Sequence, residues 1–351
     1  MKYYDIRDDL KAYPDAWCYL VWSKRGPGKT YSTLRMCIED KKKFVFIKRT
    51  IEDVKMLCAS GKHKNINFDV SPFVPLNRDF GWHIVPVKIE KGLAGFYWCN
   101  ENNEPCGDPV GYCVALSIAT DVKGFDMSEC DYMIFDEFIP KRYETIKRNE
   151  GDSMLDIYMT ISRDRVERGR GELKLICLAN ATSINNPTFM VLDVMDIASF
   201  MDMSNREFQY LEKRRILLHE IPGQEVEEKD MTGIEIAMKG TEWAEMAFGG
   251  HFAYDDFSNV SHIRLKGYAP VCSVIYKKKH FYIYQKDGFY YMTSSKANNA
   301  PEYDLNRENE QKRFFYDYVG ALMESNIDGK MKFETYSMYD LLVNYKKIFK
   351  I

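Results

Sequence analysis

Residues Trp22 to Thr30, reading WSKRGPGKT, have the types and order of a loop that wraps a phosphate. The backbone N–H groups from Gly26 to Thr30 can surround a β-phosphate, and the dipole of a following helix adds to the attraction. Gly26 and Gly28 supply torsions and a close approach that other residues resist. Lys29 is spaced to reach the β- and γ-oxygens, and Thr30 to ligate Mg²⁺ through its hydroxyl. Ser23 stands where such loops usually open on glycine, which costs turn freedom and removes no phosphate donor. The expected contact set is Ser23, Lys24, Arg25, Gly26, Pro27, Gly28, Lys29, Thr30 and Tyr31. A Gly-Lys-Thr triplet alone is weak, because chains of this length often hold one by chance.

The second half of such a site is an acid at the end of another strand. YMIFDEF, residues 132–138, supplies two. Asp136 is spaced to hold Mg²⁺ through water, and Glu137 to take a proton from an attacking water. The second acid suits a water-activating ATPase better than a kinase. No Asn-Lys-x-Asp or Thr-Lys-x-Asp element is present, which favours ATP over GTP. Two solvated acids closing a strand are the plain alternative. Asn180, at the tip of LKLICLAN, is a candidate sensor of the γ-phosphate or a simple cap. SRDRVERGRGE, residues 162–172, crowds Arg163, Arg165, Arg168 and Arg170 together. One of them, offered to a neighbouring subunit's γ-phosphate, would stabilise charge that builds in the transition state. A solvated basic turn or a nucleic-acid backbone patch would read the same way. Lys123, in TDVKGF, is a second candidate cation.

These residues need a buried strand before the loop and a helix after it. AWCYLVW, residues 16–22, reads as a covered strand, and KTYSTLRMCIEDKKK as the helix. FVFIKRT at 44–50, CDYMIFDEF at 130–138 and LKLICLAN at 173–180 read as further buried strands. Helices are expected at 51–60 and around 152–162, and β-rich pieces from 82 to 118. Strands alternating with helices predict an α/β unit with a mostly parallel sheet and helices on both faces, over residues 1–198. Residues 199–229 read as a polar linker. Residues 230–351 read as a smaller α+β domain, with a hairpin at Lys286-Asp287-Gly288 and an amphipathic helix over 308–326.

The chain has 351 residues, 45% hydrophobic and 29% charged, with formal net charge −3. That is material for two ordinary domains or one large one, without the basic excess of many nucleic-acid binders, so any backbone contact must be local. Residues 230–351 carry 16 basic and 16 acidic groups, with Lys277, Lys278 and Lys279 beside aromatics as the one local candidate, against a solvated hairpin edge. No run approaches the roughly 20 apolar residues of a membrane span, and MKYYDIRDDL is too polar for a signal peptide. The nine scattered cysteines suit a reducing cytosol. Cys99, Cys106 and Cys113 are evenly spaced but lack a matching fourth zinc ligand.

The order SKRGPGKT, YMIFDEF, an Arg-rich stretch and LICLANATSINNPTF resembles the DNA-encapsidation ATPases of short-tailed bacteriophages, over residues 16 to about 195. The resemblance implies an ASCE/RecA-like P-loop domain joined to a ribonuclease-H-like domain without nuclease activity. It implies a homo-oligomeric ring, pentameric in that family, that uses ATP and Mg²⁺ to drive double-stranded DNA into a preformed capsid. Arg163 then matches a finger acting in trans, and Lys123 a lysine that reaches the neighbouring nucleotide. The partners implied are double-stranded DNA, the capsid portal vertex and a structural RNA, in the host cytoplasm and transiently at the procapsid. The candidate first strand of the second domain, VCSVIY, lacks the clustered carboxylates of a two-metal nuclease. Another P-loop ATPase, such as a helicase or AAA-like machine, and a nucleotide-gated assembly protein with little hydrolysis remain open on the residues alone.

Overall fold

The computed structural model describes residues 4–24, 26–58, 70–100, 102, 104–119, 125–141, 144, 149–222, 233–241, 252 and 255–351. The chain divides into two compact units, Met1–Leu192 with Ser204–Tyr254, and Asp193–Met203 with Asp255–Ile351.

The first unit is built on a nine-stranded sheet in the order β3-β4-β5-β2-β6-β7-β1-β9-β8. The strands are β1 (Cys18–Ser23), β2 (Phe44–Lys48), β3 (Ile84–Glu90), β4 (Leu93–Cys99), β5 (Pro105–Ala115), β6 (Tyr132–Asp136), β7 (Lys174–Asn180), β8 (Phe208–Leu211) and β9 (Ile216–Glu220). The six from β5 to β9 across the middle run parallel. Antiparallel strands flank them: β3 and β4 on one side, β8 on the other. β1 is buried at every residue, and β2, β6 and β7 are buried between their ends. Strands reach that state when both faces of a parallel sheet are covered, which is why they read as apolar runs.

The helices are α1 (Ile6–Ala12), α2 (Lys29–Glu39), α3 (Ile51–Leu57), α4 (Val74–Phe80), α5 (Glu150–Ser162), α6 (Pro187–Val191) and α8 (Gly233–Met238). Thr50 and Asp53 start α3 with a reciprocal capping box. Asn186 caps α6, accepting from the Phe189 N–H at 2.9 Å, with Pro187 in the first turn where its missing N–H costs nothing.

Two departures from the sequence reading fall between 193 and 229. The stretch expected as linker contributes β8 and β9, and β9 pairs directly with β1. ILLHE had been masked by its polar neighbours, although all five of its residues are buried. Helix α7 (Met195–Met203) belongs instead to the second unit. Its Asp196 accepts from the Ser337 N–H at 2.9 Å and the Ser337 hydroxyl at 2.8 Å, and Asp193 pairs with Lys279 at 2.7 Å.

The second unit has a five-stranded sheet in the order β13-β10-β11-β12-β14. β10 (Ala269–Tyr276), β11 (Lys279–Lys286) and β12 (Phe289–Thr293) are antiparallel; β13 (Glu302–Asp304) and β14 (Met331–Phe333) join the edges in parallel. The expected turn at Asp287-Gly288 joins β11 to β12, both residues left-handed at φ 49° and 80°. Lys277 and Lys278, at φ 47° and 65°, are themselves the two-residue turn between β10 and β11. Residues 308–327 are helical throughout, with one π turn at Phe315–Val319. They pack with Tyr336–Val343 on a core around Val274, Ile283, Phe314, Phe333 and Leu341. Among the described residues no helix is long and apolar enough to cross a membrane.

Candidate functional site

One strand, β7, separates β1 from β6. The loop after β1 and the acids at the end of β6 therefore open at the same carboxyl edge, with the tip of β7 between them. Edges of this kind are where ligands bind in open α/β sheets. The registers Ser23↔Asn180 and Asp136↔Leu178 carry Asn180 beyond the level of the acid. A cleft of about 310 Å³ lies there, lined by Gly26 to Tyr31, Asp136, Glu137, Leu178, Ala179 and Asn180.

Gly26 and Gly28 both have positive φ, 101° and 81°, and Gly28 caps the N-terminus of α2. These two residues make the turn. Ser23 is still in the strand, so a glycine there would relieve nothing. Its hydroxyl has another use, accepting from the Lys29 ammonium at 2.5 Å. Lys29 is buried, and its other acceptors are the Lys24 carbonyl at 3.5 Å and the Asn180 amide oxygen at 3.4 Å. Among the described residues no carboxylate lies within ion-pair distance of it. Burial lowers its pKa from 10.5 to about 8, against an opposing pull from Asp136. A buried ammonium surrounded by neutral oxygens is poised for an anion.

Thr30 donates its hydroxyl to Asp136 Oδ1 at 2.7 Å, which unites residues 106 apart in sequence. The other oxygen, Asp136 Oδ2, accepts from Lys48 Nζ at 3.1 Å. Burial opposes the charge on Lys48, yet Asp136 and then Glu137 prevail and raise its pKa. A hydroxyl and a carboxylate at this separation, beside an anion cradle, are a donor set that fits Mg²⁺ with a polyphosphate. Glu137 has φ 56°, a left-handed torsion that costs a residue with a Cβ roughly 1–2 kcal/mol. Its side chain is half-exposed, 3.6 Å from Lys141 Nζ.

Tyr31 lines the cleft and donates its hydroxyl to Asp79 at 3.0 Å. Arg25 and Lys123, both expected at the site, lie outside the described residues. The four arginines alike in sequence are unlike in space. Arg165 is fully buried and serves the fold: it donates to the carbonyls of Ser128, Cys130 and Gly171 and pairs with Asp131 at 3.2 Å. Arg168 reaches Asp126 and the Ser128 hydroxyl. Arg163, which caps the C-terminus of α5, and Arg170 are exposed, and neither lines the cleft of its own chain.

Sequence reasoning missed Lys48 and Arg49. Their signal was a basic pair closing a buried strand; only the fold sets that strand in parallel register with the acid-bearing one. Arg49 donates to the Glu137 carbonyl at 3.0 Å and pairs with Glu150 at 2.9 Å and Glu144 at 2.8 Å. A second cleft, of about 630 Å³, opens on the far side of the acids, lined by both basic residues, Met56, Val70 and Pro72 among others.

Set against known proteins, the model of the podovirus DNA encapsidation protein (Gp16) family matches residues 3–313. The chain belongs to this family. Such a span includes the whole cleft and most of the second unit, so membership rests on far more than the loop. A DNA packaging protein of Bacillus phage B103 is 28% identical over 264 residues, covering 73% of this chain and 70% of that one. Two solved structures share the fold. The bacteriophage Phi-29 viral genome packaging motor assembly aligns over 100% of this chain and 99% of that one, with TM-score 0.63 and 18% identity. The Phi-28 gp11 DNA packaging motor aligns over 99% and 97%, with TM-score 0.58 and 18% identity. This encapsidation-family protein thus has the expected α/β architecture on a large, mostly parallel sheet, and that sheet takes in two strands beyond residue 198.

Proposed function

We propose that this protein is the ATP-hydrolysing subunit of a viral genome-packaging motor, moving double-stranded DNA into a preformed capsid. The observation that carries the reading is the 2.7 Å contact of Thr30 with Asp136, which joins the anion cradle to the acid strand beside a buried Lys29 that has no ion-pair partner among the described residues. ATP would lie with its phosphates against the amides of Gly26 to Thr30 and the Lys29 ammonium. Mg²⁺, held by Thr30 and through water by Asp136, would neutralise β- and γ-phosphate charge. Glu137 would accept the proton of the attacking water, and Asn180 would hold that water or the γ-phosphate. Arg163 would act on the next subunit's nucleotide in a ring, with Lys123 as its companion. Double-stranded DNA, the portal vertex and a structural RNA would be partners, in the host cytoplasm and at the procapsid. β10, β11 and β12 carry no carboxylate and the neighbouring β13 carries two, Glu302 and Asp304; among the described residues no third acid, histidine or cysteine groups with them, and the reading is a second domain without nuclease chemistry.

The deciding experiment is ATP turnover of the purified chain, with and without double-stranded DNA, as concentration rises. Turnover per chain should climb as subunits assemble and climb again with DNA. No turnover under any of these conditions would leave a nucleotide-gated assembly protein; stimulation by protein and not by DNA would point to another kind of ATPase.

The buried lysine adds a pH signature. Its folded pKa lies below its unfolded value of 10.5, so between about pH 8 and 10.5 the unfolded chain binds more protons. In the nucleotide-free chain this group therefore adds stability as pH rises through that window. A phosphate beside it reverses the shift, so binding takes up a proton above about pH 8. ATP affinity should fall about tenfold between about pH 7 and pH 9. Calorimetric titration in two buffers of different ionisation enthalpy reads both the affinity and the proton. Flat affinity with no proton uptake would remove Lys29 from the phosphate site.

A further inference from the structure

Glu137 holds a torsion it would not choose, so something must hold it there. Two contacts do. The next N–H, of Phe138, donates to the Leu178 carbonyl at 3.2 Å, and the Glu137 carbonyl accepts from Arg49 Nη2 at 3.0 Å. Arg49 Nη2 also lies 3.4 Å from the Phe138 carbonyl. The rest of the guanidinium is anchored hard. Its Nε meets both oxygens of Glu150 at 3.1 and 2.9 Å, and Nη1 meets Glu144 at 2.8 Å. The Glu150 side chain is 3% exposed and opens α5, where a helix N-terminus also favours a carboxylate. The planar fork of arginine can serve these directions at once; a lysine ammonium cannot.

We propose that Arg49 is the positioning residue for Glu137, gripping its backbone so that the left-handed turn aims the carboxylate at the phosphate cleft. Arg49 touches no substrate in this scheme; it transmits the rigidity of α5 to the acid. Without the grip, residue 137 relaxes to negative φ and its side chain leaves along a different Cβ direction. The inference rests on the ATPase reading above and names the group that makes its acid competent.

Arg49→Lys tests it, because the buried Glu150 keeps a cationic partner while the Glu137 carbonyl loses its donor. Turnover should fall on the order of tenfold to a hundredfold, the size of effect expected when a reacting group is misplaced by about 1 Å. KM for ATP and the melting temperature should stay near wild type. The double variant Arg49→Met, Glu150→Gln removes both buried charges together, so it does not strand one of them, and should show the same loss. Amide exchange at Phe138 and Ile139 should be faster in both variants than in wild type. Wild-type kcat in both variants, or a raised KM with unchanged kcat, would overturn the proposal. Were the wild-type chain itself inactive, the ATPase reading would fall, and the exchange measurement would still decide whether Arg49 holds this turn.

Discussion

Replacing Glu137 with glutamine should lower ATP turnover about a hundredfold to ten-thousandfold, the usual worth of a general base, while nucleotide affinity stays close to wild type. Glutamine has the same length and shape and keeps every backbone contact of residue 137, so the left-handed turn and the Arg49 grip persist. The side chain is 47% exposed, so the exchange buries no new polar group. What is lost is the ability to take a proton, together with the Lys141 pairing at 3.6 Å, which in so exposed a setting contributes little. Lys29, Thr30 and Asp136, which would bind the nucleotide and its metal, are untouched. Single-turnover kinetics beside a fluorescent-nucleotide titration separates the two effects. A variant that hydrolyses at the wild-type rate would show that water is activated elsewhere, and with it the assignment of the second acid would go.

Arg163→Ala should reduce turnover of the assembled protein by about a thousandfold or more, the scale of an arginine finger, with ATP binding intact. Arg163 caps α5, is exposed, and does not line its own cleft. If a residue so placed meets a nucleotide, it is one held by another copy. Mixing supplies the discriminating arm. A Lys29→Ala subunit lacks the phosphate ligand yet still presents Arg163, whereas an Arg163→Ala subunit binds ATP and presents nothing. Each is inactive alone; together they should recover part of the activity, because some sites then combine an intact Lys29 with a neighbour's Arg163. Failure to recover at concentrations where wild type is active would rule out the trans arrangement. Arg165 makes the contrast clear. Its guanidinium is sealed among backbone carbonyls, so Arg165→Ala should show itself as lost stability and not as a kinetic defect that a partner can rescue.

The legible parts of this site were those written in adjacent residues. Gly26 to Thr30 and Asp136-Glu137 each declare themselves because the backbone they need is local: a strand, a turn with two left-handed glycines, a helix N-terminus. Buried parallel strands are apolar on both faces, so CYLVWS, FVFIK, YMIFD and KLICLAN were readable as strands without knowing their neighbours. ILLHE was not, since a five-residue strand set among charged turns has too short a pattern to stand out. Ser23 looked like a defect in the loop and is a ligand of Lys29, because its place at the strand end removes any need for glycine.

Lys48 and Arg49 were legible only in part. Nothing within FIKRT says that Ile47 pairs with Phe135, yet that register sets the two basic residues against Asp136 and Glu137. The chain's local chemistry alone determined that it carries a glycine-rich turn closing on Lys29 and Thr30, an acid pair and a cluster of arginines, since each depends on contiguous residues. Folding in three dimensions decided which arginine is free and which is buried, which cations hold the acids, and which helix belongs to which unit. Those outcomes depend on contacts between residues far apart in sequence, 34 positions for Arg165 and Asp131, 88 for Lys48 and Asp136 and 101 for Arg49 and Glu150, and the fold is what brings such residues together.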